Sequence, residues 1–136
     1  MSRRQRLFGL VMILACLAGA AARAEVTRSS LRDVSLTIMA LYNAGDGIGL
    51  YARLSEPLAL RYSAATLTET LSECRERLGS LTRLSLPVAS NATSGMFAAY
   101  FETGTRDMYL ELDEQGLIRL VSFAGAEDNC SLVQPE

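Results

Sequence analysis

The side chains in this chain that could do chemistry are carboxylates, tyrosines, arginines and, of three cysteines, the well-separated Cys74 and Cys130. Asp107, Tyr109, Glu111 and Asp113 alternate with Met108, Leu110 and Leu112. Carboxylates grouped this way can hold calcium or carry protons. The alternation also accounts for them without any chemistry, since one strand face would be apolar and the other solvated. Five tyrosines (Tyr42, Tyr51, Tyr62, Tyr100 and Tyr109) could ring a pocket or pack in core and rim. Arg119 is the one charge within the apolar run 117–123, where it either meets a ligand carboxylate or lies on the outer face. Asn91-Ala92-Thr93 fits the glycosylation sequon, which reads as accidental behind a bacterial-looking leader.

What is missing narrows the chemistry further. The chain has no histidine, which excludes Ser-His-Asp and Cys-His catalysis and most zinc sites. All 13 basic residues are arginine, so Schiff-base and P-loop lysine chemistry are excluded as well. No catalytic residue, metal ligand or cofactor is assigned.

The first 24 residues set the compartment. Arg3, Arg4 and Arg6 precede an apolar run from Leu7 to Leu17, and Ala22-Arg23-Ala24 follows. This is the pattern of a cleavable secretory signal, predicting a leader over 1–24 and one domain over 25–136 with its core in about 30–130. The run is shorter than the roughly 20 residues a membrane span needs. Ile13-Leu14-Ala15-Cys16 resembles a bacterial lipobox and would lipidate Cys16, although Leu14 is larger than usual there. The reading adopted is a protein of the bacterial periplasm or the exterior. Cleavage removes four arginines and no acids, leaving nine arginines against fifteen acids. That balance argues against nucleic acid as a partner. In an oxidising compartment Cys74 and Cys130 read first as a disulfide, with two free thiols as the alternative.

The spacing predicts a helix over 30–44, capped by Ser30 and ended by Gly45, with Leu31, Val34, Ile38, Leu41 and Tyr42 on one face. A short second helix runs from Asp46 to Leu54. A third starts at a capping box, Thr66 to Glu69, and ends at Gly79, with Leu67, Leu71, Cys74 and Leu78 inward. The period then changes to two. Strands are predicted with Leu84, Leu86 and Val88 inward, then over 96–102, through Met108, Leu110 and Leu112, and over 117–123, followed by an irregular tail over 124–136. Cys74 points into the core, so Cys130 must return beneath the third helix. The fold class is α+β, three N-terminal helices on a curved four-stranded antiparallel sheet.

Asn43-Ala44-Gly45-Asp46, Leu50-Tyr51 and Leu54-Ser55-Glu56 resemble a stretch of the cone-shaped, nuclear-transport-factor-like domains. Tyr100-Phe101-Glu102-Thr103-Gly104, the run Met108 to Asp113 and Gly116-Leu117-Ile118 resemble their hairpin and turn. The resemblance covers about 30–123. It points to an exported subgroup of unknown function often found ahead of secreted serine hydrolases, from which this chain is expected to depart by standing alone. It implies a cystatin-like cone with a cavity between sheet and helices. Tyr42, Tyr51, Phe97 and Phe101, with Met108, Leu110 and Arg119, are the candidate lining. The catalytic aspartate–tyrosine pair of the isomerase members has no counterpart.

The favoured function is therefore a non-enzymatic module that binds a small apolar ligand or a partner protein. The alternatives are a small isomerase-type enzyme using carboxylate and tyrosine, and a structural domain that forms a homodimer through its sheet.

Overall fold

The computed structural model describes residues 18–126 and 128–135. The apolar run of the leader and Cys16 lie outside the described residues, while Ala22-Arg23-Ala24 lies inside the first helix. Four helices, α1 (Ala18–Ala44), α2 (Gly47–Tyr51), α3 (Glu56–Ala59) and α4 (Ala64–Leu78), come first. Five strands follow, β1 (Leu81–Ser90), β2 (Ser94–Phe101), β3 (Gly104–Leu112), β4 (Ile118–Ala124) and β5 (Cys130–Val133). They form one antiparallel meander in the order β1-β2-β3-β4-β5. The α+β class is as expected, but with one more helix and one more strand.

Each difference has a local cause. α1 passes through residue 30 instead of starting there, since the alanine-rich segment before it favours helix. It ends where Gly45 takes φ +65°, a conformation that costs glycine little. α3 is a single turn with proline in its first positions, too short to show a period. The cap of α4 is Ser63, whose side chain accepts from the Thr66 amide at 3.1 Å, so the helix begins two residues before Thr66.

β1 departs from its predicted alternation. Register shifts fall between Leu84 and Pro87 and again between Pro87 and Ala89. Leu84 is buried, whereas Leu86 and Val88 are 71% and 65% exposed. Extra residues at a bulge reverse the faces beyond it. β5 lies in the segment read as an irregular tail. It pairs with β4, matching Phe123 with Cys130 and Val121 with Val133.

The helices pack on one face of the sheet, α1 against β1 and α4 against β5, with α2 against α4. Leu67, Leu71, Cys74 and Leu78 are fully buried, as their spacing requires. Cys74 and Cys130 are joined in a disulfide with their Cα atoms 5.9 Å apart. The last turn of α1 is tied to the edge strand by Asn43. Its Nδ2 donates to the Leu81 carbonyl at 2.8 Å, and its Oδ1 accepts from the Leu81 amide at 2.9 Å, as a neighbouring strand would. No helix among the described residues is long and apolar enough to cross a membrane.

Candidate functional site

The seven candidate lining residues divide between two regions. Tyr42, Phe97 and Met108 are fully buried, and Phe101 and Leu110 nearly so. Tyr42, Phe101 and Phe123 form an edge-to-face trio with centroids 5.0–5.7 Å apart. The Tyr42 hydroxyl donates to the Gly79 carbonyl at 3.0 Å. Burial pushes its pKa up to about 12, against a smaller opposing pull from the Arg75 and Arg77 charges. These side chains are the layer joining helices to sheet. Leu110 also borders a shallow recess of about 310 Å³ beside Met96, Tyr109 and Leu120.

Tyr51 and Arg119 stand apart, at the end of the domain where α3 meets β4. After α2, Leu54 forms a parallel bridge with Ile118. The Ile118 amide donates to the Arg53 carbonyl at 2.8 Å, and the Ser55 amide to the Ile118 carbonyl at 2.9 Å. This extra rung brings α3 beside the first residues of β4. The Tyr51 hydroxyl donates to the Ala59 carbonyl at 3.1 Å and ties α2 to α3.

Arg119 follows Ile118 directly and sits in a bulge. On β3 the step from Glu111 to Leu112 is one residue, while the facing step on β4 from Leu120 to Ile118 is two. Ile118 and Val121 are buried on either side, so Arg119 is the unpaired residue that the bulge turns outward. It borders a groove of about 460 Å³. Pro57, Leu58 and Leu60 of the α3 region give one wall and Pro135, beyond β5, another. Leu58 anchors α3 in the core, whereas Leu60 is 84% exposed. Among the described residues Arg119 has no hydrogen-bond or ion-pair partner.

Arg61 and Ser55 complete the groove. Arg61 Nη1 donates to the Gln134 carbonyl at 3.4 Å, and its guanidinium lies 5.9 Å from the Tyr62 ring centre. The Gln134 amide donates to the Tyr62 hydroxyl at 3.1 Å, so the segment after β5 is fastened to the loop after α3. Ser55 is buried and precedes α3, yet its side chain makes no cap hydrogen bond. The groove thus gathers two guanidinium groups and a hydroxyl around an apolar floor. Sequence reasoning singled out Arg119 but missed Arg61, Leu60 and Pro135, whose only signal is proximity across the fold.

The carboxylate group on β3 is spread out. Asp107 and Tyr109 are exposed, and Asp113 Oδ1 accepts from the Gln115 and Leu117 amides at 2.9 Å, holding the turn. Comparison of the chain with protein-family models, with curated proteins and with solved structures finds no match.

Proposed function

We propose that this chain is an exported, non-enzymatic binding module whose ligand sits in the groove between α3, β4 and the segment after β5. The observation that carries this reading is Arg119, a cation placed by a bulge beside an open apolar recess and lacking a partner among the described residues. Bulges that re-aim a side chain are over-represented at functional sites. The recess falls in the size range of small-molecule sites, about 300–1,000 Å³. The buried polar residues among those described are Ser35 and Ser55. Both are hydroxyls, which supports binding over isomerase-type carboxylate chemistry.

Export is supported by the leader pattern and by the disulfide. The cone-shaped, nuclear-transport-factor-like architecture belongs to the same proposal. Its support is the placing of the helices on one sheet face and the register shifts in the β1–β2, β3–β4 and β4–β5 pairs, which bend strands. With the interlayer space occupied by Tyr42, Phe97 and Phe123, the ligand sits at the rim of the fold. A second reading, a homodimer through the sheet, is favoured by Leu86, Val88 and Tyr109, which are 71%, 65% and 40% exposed.

Native mass spectrometry of the secreted protein without reductant tests both readings. The module reading expects a monomer starting at Glu25, with the disulfide intact and a co-purifying mass released on activation. A dimer carrying no added mass would overturn it in favour of the second reading.

A further inference from the structure

We infer that the groove selects a small carboxylate with an apolar body, its head on Arg119 and its body along Leu58, Leu60 and Pro135. This rests on the reading above that the groove is the binding site. The domain after leader removal carries nine arginines against fifteen acids, so its net charge repels anions. The groove is different, because two of those arginines border it. Among the described residues no acidic one lines it. A cation with no partner among the described residues, beside an apolar floor, is matched by a ligand that brings both the missing charge and an apolar surface.

The donor set decides which anion. Phosphate sites are commonly built from successive backbone amides at a glycine-rich loop or helix start. Here α3 opens on Glu56 followed by Pro57, which has no amide hydrogen, and is only four residues long. What the groove offers is guanidinium forks and the Ser55 hydroxyl. A planar fork matches the two oxygens of a carboxylate. Arg61 is already engaged with the Gln134 carbonyl, so it serves as the second cation and Arg119 as the fork that meets the head.

The test titrates the disulfide-bonded domain with sodium octanoate and with octanamide, its neutral counterpart, followed by amide chemical shifts. The expected result is saturable shifts at Leu60, Arg61 and Arg119, octanamide binding at least tenfold weaker, and loss of octanoate binding in Arg119→Ala. Arg53→Ala, which does not line the groove, keeps it. Octanamide seated in the groove as tightly as octanoate would overturn the carboxylate inference and leave the groove reading standing. So would a native mass spectrum carrying a neutral molecule that shifts the same amides. Octanoate shifts confined to another surface, or no response to either probe together with a bare native mass, would overturn both.

Discussion

The aromatic layer under the helices and the groove at the end of β4 use the same kinds of element to opposite ends. In the layer, Tyr42, Phe101 and Phe123 meet edge to face, and even the Tyr42 hydroxyl is spent on the Gly79 carbonyl. Every group there has a partner inside the protein. In the groove, Leu60 is 84% exposed, the Ser55 side chain does not cap its helix, and Arg119 has no partner among the described residues. A region whose interactions are all satisfied internally contributes stability, whereas one with unmet charge and exposed apolar surface is available to another molecule. If this division holds, substitutions in the layer change stability and leave binding intact, and substitutions in the groove do the reverse.

The largest expected effect is at Phe123. Truncation of this fully buried ring to alanine should cost about 3–5 kcal/mol, or roughly 10–20 °C in the melting midpoint. Octanoate binding by the variant that remains folded at low temperature should be unchanged. Weakened binding in that folded variant would break the division, because it would couple the layer to the groove.

Cys130→Ser comes next, at about 2–4 kcal/mol for loss of a bridge across 56 residues. This change sharpens the comparison because it touches both regions. The bridge fastens β5 to α4, and β5 leads directly to Gln134 and Pro135 at the groove wall. Octanoate affinity should therefore fall as well, unlike in Phe123→Ala. Equal affinity in the reduced and oxidised wild-type protein would show that the wall is held without the disulfide, by the hydrogen bonds of Gln134 to Tyr62 and Arg61.

The sequence disclosed these regions unequally, for a physical reason. The layer could be read because Ile38, Tyr42, Leu67 and Leu71 are spaced by local periodicity, which needs no knowledge of distant contacts. The period of β3 was readable for the same reason. The groove depends on an isolated bridge between Leu54 and Ile118, a one-turn helix and a four-residue strand, all below the length at which a period appears. Arg119 stood out as a charge in an apolar run, but its direction is set by a bulge that only the β3–β4 register reveals. Leu86 and Val88 went wrong on the same ground, since alternation counted along β1 cannot anticipate two shifts against β2.

Tyr42→Phe is a smaller perturbation. At neutral pH it removes one buried hydrogen bond, worth about 1 kcal/mol. The tyrosine gives up its proton near pH 10.0 when unfolded but near 12 in the fold. Between those values the folded protein holds the proton more tightly, so wild-type stability is intact below pH 10 and declines as pH rises toward 12. The decline is at most about 1.4 kcal/mol per pH unit. Urea titrations at pH 8 and pH 11 should show the wild-type advantage over Tyr42→Phe closing at the higher pH. A constant gap would mean that burial does not control this hydroxyl.

Arg119→Ala should change stability least, within about 0.5 kcal/mol, because the side chain is exposed and has no partner to lose among the described residues. A slight gain is the expected sign, since removing one of two cations beside the groove relieves repulsion with Arg61. Its effect on octanoate binding should nonetheless be the most complete of the four. That pairing of negligible stability change with lost binding separates a recognition residue from a packing residue, since a packing role cannot be removed without a loss of stability. Matched urea and chemical-shift titrations of the variant measure both quantities. A loss of 2 kcal/mol or more would instead make Arg119 part of the structure, its cation held by the fold and not offered to a ligand.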